Sequence, residues 1–335
     1  MIGTEFLPGQ GLGNRLFCYV TARCASLDRG CEFATAGRQY LDADFLQLDL
    51  GAEIADPSQL GHYHEKEERI YTSASPHDMV HGCYIAGTDP GVLQVPDNTL
   101  LYGNLQSEAY FGAHRDEIRR WLAVKPDMNS FEHTSDDLCI LNMRGSEYAD
   151  DPALFLPRRY WTDAMALMRK ENPAMRFMVV TEDIETAKKL LPDIPAFHFG
   201  PAEDYIAVKN ARYLIVSNSS FAFFPAYTSD TVRKVIAPKY WARHNVSDGY
   251  WASAQNIYED FLYMDRQGRL FTAQQCRTQL ADYFAGEAYR RLGANSPWAP
   301  DSTAVALVRR RNHLRMLARK AAGKLRRLNN IWRDR

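Results

Sequence analysis

Between residues 136 and 238, short apolar runs alternate with amphipathic stretches, and no other feature of the chain constrains its fold as tightly. Runs at 138–142, 176–181, 213–217 and 233–237 have strand composition, and the spacing of apolar residues between them predicts helices over 158–171, 183–191, 202–211 and 219–228. Strands and helices in that order imply a parallel sheet covered on both faces, with ligands received at the carboxyl ends of the strands. Arg144 lies just past the first of those ends, residues 181–183 past the second, and the segment Ser217, Asn218, Ser219, Ser220, Phe221 past the third. A guanidinium is always charged and can grip a phosphate with two parallel hydrogen bonds. Hydroxyls and backbone N–H groups where a buried strand hands over to a helix favour anions as well. Together these residues predict a nucleotide-phosphate pocket.

The chain has 335 residues, which suits two domains better than one. The expected division is a first unit at 1–130, a second at 131–292 that carries the phosphate pocket, and a tail at 293–335. In the first unit a strand at 2–7 leads through a glycine-rich loop, Gly9 to Gly13, into a helix with Leu16, Phe17, Val20 and Cys24 on one face. The Gly9, Gly11, Gly13 spacing lacks the two residues that separate the last pair of glycines in the dinucleotide fingerprint, which counts against a dehydrogenase. Residues 51–96 are polar and rich in Gly, Pro and His, and read as irregular chain with short strands.

Hydrophobic residues at 46% and aromatics at 12% exclude wholesale disorder, and no apolar run approaches the roughly 20 residues of a membrane span. No secretion signal precedes the first strand, so a cytoplasmic location is expected. The six cysteines show no C-x-x-C pair and no zinc-ligand spacing, and are expected to be reduced core residues. His62, His64, His77 and His81 lie close in sequence without a defined ligand pattern, so no metal is assigned. Residues 309–335 carry eleven Lys or Arg against one acid, Asp334, while Leu314, Leu317, Ala321, Leu325, Leu328 and Trp332 form one apolar stripe. That pattern predicts a basic amphipathic helix over 303–335, suited to an anionic membrane surface or to the acidic body of the protein. Nucleic acid is disfavoured as a partner because no recognised RNA or DNA module accompanies the charge.

Four stretches, in order, resemble the α-1,2-fucosyltransferase family, whose members move fucose from GDP-fucose to a sugar hydroxyl. Gly11-Leu-Gly13-Asn14-Arg15-Leu-Phe is similar to the family's Gly-Leu-Gly-Asn-Gln opening, and Gln106-Ser-Glu-Ala-Tyr-Phe111 to its Gln-Ser-Glu-Lys-Tyr-Phe segment. Asn142-Met-Arg144-Gly-Ser-Glu147-Tyr148 aligns without gaps on the signature His-x-Arg-Arg-Gly-Asp-Tyr. Ser217 to Phe221 and Ile236-Ala-Pro-Lys239 match its Ala-Asn-Ser-Ser-Phe and Ala-Pro-Lys segments. This chain departs from the pattern at Asn142, Gly145 and Glu147 and, in the opening motif, at Arg15.

The resemblance implies an α/β fold of two Rossmann-like domains, the GT-B type, and an inverting, metal-independent transfer without a cofactor. The donor would be a nucleotide sugar, GDP-fucose by likeness, and the acceptor a glycan or a lipid-linked glycan. By the same likeness Arg144 binds the donor pyrophosphate and Asn14 faces the active cleft. Glu147 is assigned to orienting Arg144 rather than to proton transfer, since a neighbouring cation lowers a carboxylate's pKa and makes it a poorer base. Gly11 and Gly13 with Asn142, Tyr148, Asp183, Asn218, Ser219, Ser220 and Phe221 complete the expected donor-binding set. Asp183 suits a helix N-cap equally well, and the serines could also be a cap.

Overall fold

The computed structural model describes residues 1–66, 69–71, 83–85, 88–150, 154–241, 255–286 and the single positions 307, 310 and 314. It contains two α/β sheets. The first has five strands, β1 (Ile2–Glu5), β2 (Phe33–Ala36), β3 (Ala52–Glu53), β4 (Gly61–His64) and β7 (Thr99–Tyr102), all parallel, in the order β3-β2-β1-β7-β4. Two short strands, β5 (Arg69–Tyr71) and β6 (Cys83–Ile85), pair separately as an antiparallel ribbon.

The second sheet comprises β8 (Leu138–Asn142), β9 (Arg176–Val180), β10 (Ala196–Phe197), β11 (Tyr213–Val216), β12 (Lys234–Pro238), β13 (Phe261–Met264) and β14 (Leu270–Thr272). Their order is β10-β9-β8-β11-β12-β13-β14, with only the β13–β14 pair antiparallel. Two such sheets with their helices form the GT-B-like architecture that the resemblance implies.

The helices are α1 (Leu12–Arg29), α2 (Arg115–Trp121), α3 (Arg158–Glu171), α4 (Ile184–Leu190), α5 (Pro201–Asn210), α6 (Phe223–Tyr227) and α7 (Ala273–Ala285). Residues 219–228, predicted as one helix, instead form a 3-10 turn at Ser220–Ala222 followed by α6. Pro225 lacks the N–H that a continuous α-helix would send back to the Phe221 carbonyl, so the first turn tightens.

The second sheet is buried on both faces, and the period of two along its strands sorts residues between two cores. Ile140, Met178, Val180, Leu214 and Val216 point into one core. Cys139, Leu141, Phe177, Val179 and Ile215 point into the other, under α3. In α3 the spacing of Tyr160, Trp161, Ala164, Met165 and Met168 gives one buried face, and burying each large side chain stabilises by roughly 1.5–3 kcal/mol.

The first core continues without a break into the first sheet through Phe17 of α1, which stacks on Phe223 with ring centroids 4.9 Å apart. Cys18, Cys24, Cys139 and Cys276 are buried free thiols and Cys31 is half-buried. The side chain of Cys83, the positions of His77 and His81, and nearly all of the 303–335 helix lie outside the described residues. Among the described residues no helix is long and apolar enough to cross a membrane.

Candidate functional site

Four neighbouring strands of the second sheet, β10, β9, β8 and β11, end on the same side, and the start of α1 faces those ends. Between them lies a cleft of about 260 Å³ whose lining includes Asn142, Arg144, Glu182, His198, Asp204 and Ser219 from the second sheet. Leu12, Arg15 and Asp42 close it from the first, and Phe221 adds an aromatic ring to the lining. Contact between α1 and the second sheet is tight at one point. A Cβ on Gly13 would sit 2.4 Å from the carbonyl carbon of Ser220 and 2.6 Å from the nitrogen of Phe221, so only glycine lets the helix meet that turn. Gly11 is the extended cap residue of α1 and has open space where a side chain would go.

Arg144 stands two residues beyond β8. Its backbone N–H donates to Ser217 Oγ at 3.2 Å, tying the β8 and β11 ends together. The guanidinium is gripped from two sides, by Glu147 at 2.5 Å and by Glu182 at 3.0 Å, and it lies over the ring of Tyr148 at 5.8 Å. Partial burial works against its charge, but the Glu147 hydrogen bond and the charges of Glu182 and Glu147 outweigh burial and hold its pKa above the usual guanidinium value. For Glu147 the order is the same: partial burial opposes the charge, the bond from Arg144 prevails, and the carboxyl lies below its usual range.

Asp183 holds the loop that carries Arg144. One carboxylate oxygen caps α4 by accepting from the Thr186 N–H at 3.1 Å, and the other accepts from the Ser146 N–H at 2.8 Å. Ser146 has a left-handed φ of 48°, a strained value for a residue with a side chain, and the Asp183 bond stabilises it. Position 145 has no room: a Cβ there would lie 2.5 Å from the Asp183 Cβ. Asp183 excludes a side chain at the place where the resembled signature carries its second Arg.

Of the remaining expected residues, Asn142, Ser219 and Phe221 are in the cleft lining, while Asn14, Asn218 and Ser220 are not. Asn142 is buried and donates to the Val180 carbonyl at 3.4 Å. Asn218 donates to the Leu154 carbonyl at 2.9 Å, while its Oδ1 is buried with no partner among the described residues. Ser219 Oγ accepts from the Phe221 N–H at 3.3 Å and caps the 3-10 turn that contains Ser220. Asn14 accepts from Gln106 Nε2 at 3.2 Å, and Gln106 in turn accepts from Asn256 at 2.8 Å, a relay from α1 to the segment that precedes β13 of the second sheet.

Sequence reasoning placed Glu182 at the strand ends only as part of 181–183, gave Arg15 only as a departure from the opening motif, and missed a His–Asp pair. His198 follows the two-residue strand β10, and its Nδ1 lies 2.7 Å from Asp204 Oδ2 on α5. Asp204 also accepts from the Phe199 N–H at 2.9 Å. Burial pushes the Asp204 carboxyl up, against the opposing hydrogen bonds of Phe199 and His198. A carboxylate on Nδ1 orients the ring and leaves Nε2 as the atom able to take a proton. Among the described residues, no group of three or more His, Cys, Asp or Glu side chains is placed to hold a metal ion.

No protein-family profile matches the chain, and no curated protein does. Among solved structures it is similar to POFUT1 in complex with GDP-fucose, at 9% identity over 70% of this chain and 97% of that one, with a TM-score of 0.40. It is similar also to NodZ alpha-1,6-fucosyltransferase soaked with GDP-fucose, at 12% identity over 71% and 94% of the two chains, with a TM-score of 0.37. The glycosyl transferase family 9 protein from Veillonella parvula covers 93% of its own length and 88% of this chain, at 12% identity and a TM-score of 0.39. Likeness this loose carries no argument, and the function is argued from the cleft.

Proposed function

We propose that the protein is a glycosyltransferase that moves a sugar from a nucleotide diphosphate to a hydroxyl of a glycan acceptor, with GDP-fucose as the donor that the sequence motifs favour. One observation supports this reading above the others: a guanidinium at the carboxyl end of a central parallel strand, preorganised by two carboxylates, in a cleft closed by the other sheet. Charge builds on the leaving diphosphate as the sugar–oxygen bond breaks, and fixed cations aimed at that charge are the largest single source of rate in such reactions. Arg144 serves that role, with Glu147 and Glu182 holding its plane until the ligand arrives.

In an inverting step the acceptor oxygen attacks the anomeric carbon opposite the leaving diphosphate, one bond forms as the other breaks, and the hydroxyl proton passes to a base. His198, oriented by Asp204, is the base in this reading, and Arg144 does the electrostatic work that a divalent ion does elsewhere. The acceptor is a glycan or its lipid-linked precursor, and the basic segment 303–335 would hold the enzyme to an anionic membrane face. The test is release of GDP from GDP-fucose by the full chain, with and without acceptor glycans and chelator. Release that rises with acceptor and is indifferent to chelator supports the reading. No turnover of any nucleotide sugar would leave a glycan-binding protein.

A further inference from the structure

The resembled signature has two adjacent arginines, and here the second position is Gly145, where Asp183 leaves no room for a side chain. A single cation at a diphosphate is a weak arrangement, and Arg144 is already shared between two glutamates. A second buried cation nevertheless lines the same cleft. Arg15, in the first turn of α1, is 9% exposed. Its Nη2 donates to the Leu7 carbonyl at 3.0 Å, and its Nε is buried with no partner among the described residues. Burying a guanidinium with a donor unmet is costly unless something compensates. Asp42, also in the lining, faces it electrostatically: burial lowers the Arg15 pKa and the Asp42 charge opposes that shift.

We propose that Arg15 is the second cation of the diphosphate site, supplied by the first sheet in place of the arginine that position 145 cannot carry. The inference rests on the donor reading above and adds to it a split site: Arg144 from one sheet and Arg15 from the other, bridged by one ligand. Two phosphates are needed to engage both. A diphosphate should therefore be preferred over a monophosphate, and that preference should depend on position 15. Asp42 competes with the ligand for Arg15 and tempers its charge in the empty site.

Calorimetry of the full chain with inorganic pyrophosphate, GDP and GMP tests this. In Arg15→Gln, which installs the residue of the resembled motif, pyrophosphate and GDP affinity should fall roughly tenfold to a hundredfold, the scale of one charge-assisted hydrogen bond, while GMP binding changes little. In Asp42→Asn, pyrophosphate should bind severalfold more tightly, and that gain should vanish in the double variant with Arg15→Gln. The second variant keeps the test alive if Arg15→Gln fails to fold. Arg15→Gln binding pyrophosphate like the wild type, or Asp42→Asn leaving its affinity unchanged, would overturn the inference while Arg144→Ala still reports on the donor reading. If the wild type binds neither pyrophosphate nor GDP, the donor reading falls and takes this inference with it.

Discussion

The two sheets face one cleft but contribute to it in different ways. The second sheet brings four adjacent strand ends, each with a polar residue fixed by its neighbours: Arg144 between two glutamates, Asp183 across a cap and a loop, His198 on Asp204, and Ser219 on its own turn. The first sheet brings Asp42 and the start of α1, which is pressed against the turn at 220–221 through Gly13. Braced polar groups are thus concentrated where strand ends are many, while the first sheet adds Arg15 and Asp42 to the cleft. Such a division follows from the parallel sheet, whose strand ends form a single row of loops on one side.

The largest test of that division is Arg144→Ala. Loss of a preorganised electrostatic donor should cut turnover by about 10²–10³-fold, and Arg144→Lys should not restore it, because an ammonium lacks the planar fork. Steady-state kinetics on folded protein checks this, and near-normal turnover would move the chemistry away from the second sheet. Next in size is His198→Gln, expected to lower turnover by about 10²-fold with donor affinity kept, as for a lost general base. Should donor affinity fall instead and turnover per bound donor persist, His198 binds the nucleotide and the base lies elsewhere.

The other two tests address how the halves are held. Gly13→Ala puts a methyl against the backbone of the turn at 220–221, and forcing an atom into a filled contact costs about 1–3 kcal/mol. A urea midpoint unmoved by that substitution would show that α1 slides freely on the second sheet. Lys209, on α5, is buried against the Thr228 carbonyl at 2.6 Å, and burial lowers its pKa to about 8 from 10.5. Between those two values the unfolded chain binds the extra proton, so this group's contribution to stability rises with pH, on the order of 1 kcal/mol per pH unit across that window. The slope should disappear in Lys209→Met, and the difference between the two proteins isolates this group from the other side chains that titrate.

Much of the second sheet was legible in the sequence, since strands buried on both faces leave unbroken apolar runs. Strand 138–142 and helix 158–171 fall where the spacing puts them. Less of the first sheet could be read. Its strand β3 has two residues and β4 is largely exposed, so neither leaves a periodic signal. At the cleft, Arg144 with Glu147 was readable from spacing because they lie three positions apart on one loop. His198 was not, since β10 is only two residues long and its partner Asp204 lies on the next helix. Arg15 stands out in the sequence only as a departure from the resembled opening motif. Its burial follows from packing between sheets, which no local pattern records.

The claim that one ligand is shared by both sheets can be tested directly by hydrogen exchange of the full chain with and without GDP. Protection should appear in three separate segments, at 142–148, at 217–223 and at 12–16 in the first turn of α1, the last being the contribution of the first sheet. Protection confined to the second-sheet segments would reduce the first sheet to a bystander. Protection centred instead on the cavity formed by Ser107, Glu108 and Arg277 would contradict the account outright.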